Sequence, residues 1–150
     1  MIFIVTVPVT ADVLLCGQLT YLREQGFDVG VISSPGPELA RVASREGVDV
    51  FPIEMAREID PLRDAASLVA LTKLLSQLRP QIVNAGTAKG GLLGMLAAAA
   101  ARVPVRVYQL RGLRLETERG IKRAVLGNSE LRAERASEPP ALGNVVALAR

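Results

Sequence analysis

The sequence predicts an α/β protein, a Rossmann-like doubly wound parallel sheet of about five strands with helices on both faces. Three observations carry that reading. Short β-rich apolar runs alternate five times with helical patterns, joined by short connections. Hydrophobic residues make up 49% of the chain but aromatics only 3%, so Leu, Val, Ile and Ala must build the core. That suits helices packed on a buried parallel sheet. Two of the apolar runs also open into glycine- and base-bearing loops ahead of a helix. They are Ile82-Val-Asn-Ala-Gly-Thr-Ala-Lys-Gly-Gly-Leu-Leu-Gly94 and Val105-Arg-Val-Tyr-Gln-Leu-Arg-Gly-Leu-Arg-Leu-Glu-Thr117. In an open α/β sheet such turns meet on the edge where ligands bind.

Each element follows from local signals. Residues 2–7 form a β-rich run with no basic segment ahead of it, which reads as a first strand and not a signal peptide. Thr10 is placed to cap a helix running to about residue 25, with Gly26 as its stop. Cys16 falls in that helix's apolar pattern with Leu14, Leu15, Leu19 and Leu22 and is expected in the core. Residues 27–33 are the second strand, and Ser34-Pro-Gly-Pro37 is turn chemistry before a helix that Gly47 ends. Residues 48–53 are the third strand. A charged loop follows, with Asp60 as N-cap and Pro61 at the first position of a long helix. Leu68, Leu71, Leu74, Leu75 and Leu78 give that helix its stripe, and Pro80 closes it. Residues 81–85, 88–101 and 104–110 then read as strand, helix and strand, and 117–126 as a last helix. Residues 1–126 form one domain. Residues 127–150, with Ser-Glu-Pro-Pro and scattered charge, are expected to be a poorly ordered tail.

Composition narrows the chemistry. The single cysteine excludes an internal disulfide, and the absence of histidine excludes imidazole acid–base schemes and the usual zinc sites. No metal and no cofactor are expected. The shortage of aromatic rings argues against a single-stranded nucleic-acid platform, so no nucleic-acid partner is expected. The longest apolar run, residues 92–101, is about half of a bilayer span, which predicts a cytoplasmic, soluble chain. The net charge of +3 is uneven. Arg102, Arg106, Arg111, Arg114, Arg119, Lys122 and Arg123 face only Glu116 and Glu118 in the same stretch. That excess suits phosphates or peripheral contact with an anionic membrane, and equally a solvated helix face.

A strand order of 3-2-1-4-5 would put the switch point between the first and fourth strands, and a ligand against residues 8–10 and 84–91. Lys89 then either reaches a phosphate or is merely solvated. Gly86, Gly90 and Gly91 permit close backbone approach by a ligand or by a neighbouring element, whereas Gly94 reads as helix–sheet packing. Thr87 lies in the same loop, and Thr10 either bonds a ligand or caps its helix. Arg111 and Arg114 flank Gly112, with spacing suited to bidentate phosphate contacts or to surface ion pairs. Glu116 contacts a ligand or caps the first turn of a helix. Met55, Arg57 and Glu58 follow the third strand on the same edge and are candidates for ligand recognition. No catalytic residue is assigned.

Five phrases in order resemble the N-terminal domain of family 4 (GT-B fold) glycosyltransferases, in the branch that builds capsule, exopolysaccharide and lipid-linked oligosaccharides. They are Gly17-Gln-Leu-Thr-Tyr-Leu-Arg-Glu-Gln-Gly-Phe27, Ser33-Ser-Pro-Gly-Pro-Glu-Leu39, Met55-Ala-Arg-Glu-Ile-Asp-Pro-Leu-Arg-Asp64, and the stretches 84–95 and 108–117. Together they span roughly residues 1–125. The resemblance implies half of a GT-B architecture, with this half holding the acceptor and a second domain binding most of the nucleotide-sugar. The nucleotide-sugar would be substrate, not cofactor. The chemistry implied is metal-independent and retaining, with cationic side chains stabilising the departing nucleoside diphosphate. The implied partners are a donor-binding domain or subunit and a glycan or lipid-linked acceptor, at the inner face of the cell membrane. The paired-glutamate donor motif is not found in these 150 residues, so the chain is expected to be a half that is truncated or encoded as a separate chain, and inactive by itself. Asn84, Gly86 and Arg111 stand near positions where relatives often carry histidine, and Ala88 where proline is common. A non-catalytic binding or scaffold module that keeps the fold is the rival. A nicotinamide enzyme ranks below both, because residues 6–17 lack Gly-x-Gly-x-x-Gly spacing.

Overall fold

The structure, a computed structural model, describes residues 1–56 and 60–109. In chain order the elements are β1 (Ile2–Ile4), α1 (Pro8–Leu14), α2 (Gln18–Glu24), β2 (Gly30–Ser33), α3 (Pro37–Glu46), β3 (Asp49–Pro52), α4 (Pro61–Leu78), β4 (Ile82–Gly86), α5 (Ala88–Ala100) and β5 (Val105–Gln109). The five strands form one parallel sheet in the order β3-β2-β1-β4-β5, the order on which the switch-point reading is conditional. Ile4 pairs with Ile32 on one side and Ala85 on the other, so β1 is central.

Alternation along each buried strand divides the core between two faces. Phe3, Val5, Val29 and Val31 pack with Ala11, Leu15, Leu19, Leu39 and Val42 from α1, α2 and α3 and their junctions. Ile2, Ile4, Ile32, Val83 and Ala85 pack on the opposite face with Leu71, Leu75, Leu93 and Met95 of α4 and α5. Gly94 lies where a Cβ would come within 2.8 Å of the Ala85 side chain, so helix–sheet packing accounts for it.

The first helical stretch departs from expectation twice. Pro8, not Thr10, opens it: Val7 is the N-cap residue, and the Thr10 N–H donates to the Val7 carbonyl at 3.0 Å. Proline at the first helical position is the sequence signal that locates this start. The helix then breaks after Leu14, and Gly17 adopts φ 73° before α2 begins. The break keeps Leu15 and Leu19 in the core and leaves Cys16 exposed, correcting its expected burial.

Gly17 has no side chain to cap α2, and a distant residue supplies the cap. Glu46, at the end of α3, accepts hydrogen bonds from the Gly17 N–H at 3.0 Å, the Thr20 N–H at 3.1 Å and the Thr20 hydroxyl at 2.8 Å. Its side chain is only 1% exposed and is also paired with Arg45 at 2.8 Å. Arg45 and Arg41 reach on to Asp12 of α1, so one charged network ties α1, α2 and α3 together.

Candidate active-site crevice

The C-terminal ends of the strands form the edge on which a doubly wound sheet binds ligands, and the switch point lies between β1 and β4. The loops leaving the strands are joined there by hydrogen bonds. The Thr6 and Thr87 hydroxyls, one after β1 and one after β4, lie 2.7 Å apart. The Thr6 carbonyl accepts from the Ser34 N–H at 3.3 Å. Ser34 Oγ in turn donates to the Met55 carbonyl and accepts from the Met55 N–H, both at 3.0 Å. Thr87, Thr6, Ser34 and Met55 therefore link the exits of β4, β1, β2 and β3 in a line.

Thr87 stands at φ 69° and ψ 152°, a region in which a β-branched residue is strained. Its hydroxyl bond to Thr6 helps hold it there. Thr6 also accepts the Gly90 N–H at 3.0 Å. That donor belongs to the first turn of α5, so the helix start is partly satisfied from within the protein.

The close approaches at the two helical glycines are intramolecular. A Cβ on Gly90 would lie within 3.0 Å of Thr6, and one on Gly91 would overlap the Tyr108 ring of β5. Gly86 is buried at the end of β4, paired with Gln109. Met55 is 2% exposed and belongs to the core, so its side chain does not line the edge. Thr10 is half-buried in the first turn of α1.

Lys89 has an ion-pair partner absent from the sequence-level reading. Its ammonium lies 2.5 Å from Asp64 Oδ1, with side chains 13% and 18% exposed respectively. A cation at a helix N-terminus is unfavourable, and the Asp64 carboxylate offsets that cost. Asp64 sits in the first turn of α4, where Asp60 caps the helix by accepting from the Leu62 and Arg63 N–H groups at 3.2 and 3.1 Å.

Of the candidates from sequence, Gly86, Thr87, Lys89, Gly90 and Gly91 converge on the switch point, with Thr10 just beyond the neighbouring loop. Arg57, Glu58, Arg111, Gly112, Arg114 and Glu116 lie outside the described residues, as do the expected last helix and the tail. Thr6, Ser34 and Asp64 were missed. A hydroxyl or carboxylate at a strand exit or in a first helical turn is a local signal for the class, but its partner is set by topology. Among the described residues no three His, Cys, Asp or Glu side chains are grouped to hold a metal. None of the described helices is long and apolar enough to cross a membrane.

Comparison with known proteins adds to this geometry. A family model described as glycosyl transferase 4-like matches residues 4–127. The chain is similar to the capsular polysaccharide biosynthesis glycosyltransferase CapM of Staphylococcus aureus, with 42% identity over 113 residues. That match covers 75% of this chain and 29% of CapM. It is also similar to the UDP-Gal:alpha-D-GlcNAc-diphosphoundecaprenol alpha-1,3-galactosyltransferase of Escherichia coli, 30% identical over 96 residues, covering 64% and 25%. The matched regions thus span less than a third of either relative.

Proposed function

The chain belongs to the glycosyl transferase 4-like family, and from that premise we propose that it is the acceptor-side domain of a glycosyltransferase. It holds a glycan or lipid-linked acceptor in the crevice at the β1–β4 switch point. A second domain or chain presents the nucleotide-sugar. The observation that carries this reading is the coincidence of two facts. The family model spans residues 4–127, and within that span the described exits of β1, β2, β3 and β4 meet on the ligand-binding edge of a doubly wound sheet.

The second relative's name describes a diphosphate-linked lipid acceptor. Carried over to this chain, an acceptor of that kind accounts for a lysine held at the start of α5 and for the basic stretch 102–123. It would also bring the protein to the inner face of a membrane, by its substrate and by the attraction of basic side chains for anionic lipid. In the complete reaction, rate would come from cations gathered around the departing nucleoside diphosphate, and the donor-binding partner would supply most of them.

The test is a titration of the chain with a short-chain sugar diphosphopolyprenol analogue, followed by a transfer assay with and without an added donor-binding domain of a family member. The reading expects saturable acceptor binding by the chain alone and sugar transfer only with the added domain. A folded chain that binds no acceptor and supports no transfer would instead point to the scaffold module.

A further inference from the structure

The Lys89–Asp64 pair joins two helices that both begin at the crevice edge and pack along one another. Lys89 is the second residue of α5 and Asp64 the fourth of α4. The two positions are electrostatically unlike. A carboxylate in a first helical turn is stabilised by the helix, whereas an ammonium there is destabilised. A lysine has the reach to turn its charge into water, yet Lys89 is held mostly out of solvent. Asp64 is itself oriented from its other oxygen, which accepts the Asp60 N–H at 3.3 Å. The carboxylate is thus fixed by its own helix and in turn fixes the ammonium.

We propose that Asp64 is an internal counter-ion that sets the strength of ligand binding: it neutralises the Lys89 ammonium at the start of α5, and a ligand diphosphate competes with it for that ammonium. The proposal rests on the acceptor-site reading above, and it names the group that sets that site's affinity for charge. A diphosphate could come from the lipid-linked acceptor or from the nucleotide-sugar, and both present the same charge to Lys89. A singly charged ligand gains little by replacing the Asp64 carboxylate, whereas a diphosphate carries enough charge to do so. The pair would therefore select for the more highly charged ligand.

The experiment is a calorimetric titration of the 150-residue chain with inorganic pyrophosphate, using Asp64→Asn, Lys89→Met and the double variant. Asn keeps an oxygen able to accept the Asp60 N–H, so the α4 cap is retained. Asp64→Asn is expected to tighten pyrophosphate binding by about tenfold, and Lys89→Met to weaken it at least as much. The double variant should bind far more weakly than Asp64→Asn, because the tightening acts through the Lys89 ammonium. A purely structural role for Asp64 cannot produce tightening. Unchanged or weaker binding by Asp64→Asn, with Lys89→Met still weakened, overturns the counter-ion role and leaves the acceptor-site reading standing. An unaffected Lys89→Met removes Lys89 from the site and overturns the proposal by a different route. If neither the natural chain nor Asp64→Asn binds pyrophosphate, both the proposal and the anionic-ligand reading fall. Repeating the titration with uridine diphosphate and with farnesyl diphosphate distinguishes the sources. Dependence on Lys89 with either one supports the proposal, and dependence with neither overturns it.

Discussion

Glu46→Gln removes a charge from a carboxylate that caps a helix it does not belong to. In the folded protein burial pushes the Glu46 pKa up. Hydrogen bonds from the Gly17 N–H, the Arg45 guanidinium and Thr20 outweigh that effect and hold it at about 2, against an ordinary value of 4.5. A group whose folded pKa is depressed contributes stability that is fully present above the unfolded value and is lost as pH falls through the folded one. For Glu46 that window runs from 4.5 down to about 2. At ~1.4 kcal/mol per pH unit, the carboxylate contributes ~3 kcal/mol at neutral pH. Asp12, held below the usual carboxylate range by hydrogen bonds from Arg41 and Arg45, acts in the same direction. It is still present in the variant, so comparing the two proteins removes its contribution. The assay is urea unfolding followed by far-ultraviolet circular dichroism, stepped from pH 7 to about pH 2, for both proteins. Glu46→Gln should be less stable by ~2–3 kcal/mol at pH 7, with the gap closing as the natural carboxylate protonates. A gap that stays constant with pH, or a natural protein no more acid-sensitive than the variant, would refute the capping argument.

Two further substitutions test the packing and hydrogen bonds of the crevice. Gly91→Ala drives a methyl into the Tyr108 ring, and overpacking of this kind costs ~1–3 kcal/mol, more than the ~1 kcal/mol of helix propensity it regains. Urea denaturation should show a net loss that disappears in a Tyr108→Ala background; an unchanged midpoint would contradict the close packing. Thr6→Val removes the acceptor of the Gly90 N–H and the partner of the Thr87 hydroxyl, at a cost of ~1–2 kcal/mol. The Gly90 amide should then exchange with solvent faster, and an unaltered exchange rate would argue that the hydroxyl contributes nothing there.

The Pro61 start with its Asp60 cap and the Gly47 stop were legible because each depends on neighbours in sequence, whereas the strand order could be posed only as the usual one for a doubly wound sheet. Gly94 was legible as well: a glycine on the buried face of a helix over a sheet has few other uses. The break between α1 and α2 was not. Gly17 sits inside an unbroken apolar pattern, and the cap that makes the break affordable comes from Glu46, 29 residues away. The misplacement of Cys16 follows directly from treating the two helices as one. In the crevice, residue types were readable but their partners were not. Lys89 could be singled out as a cation at a helix start, yet only the packing of α5 on α4 reveals Asp64. Gly90 and Gly91 could be singled out as sites of close approach, yet only the fold shows that Thr6 and Tyr108 already occupy those spaces.

The composition of α5 has a consequence for how the crevice comes into being. Three of its thirteen residues are glycine, each worth ~1 kcal/mol against helix formation in isolation. A peptide of this sequence would have little reason to coil in water. The segment becomes a helix because Ile4, Ala85 and Tyr108 offer surfaces that only glycine lets it approach. The positions of Thr87 and Lys89 are therefore inherited from the completed sheet, not encoded in their own stretch of chain. Damage to β1 or β5 should blur the crevice before it unfolds the protein, and the site's geometry becomes a readout of whether the whole sheet has assembled.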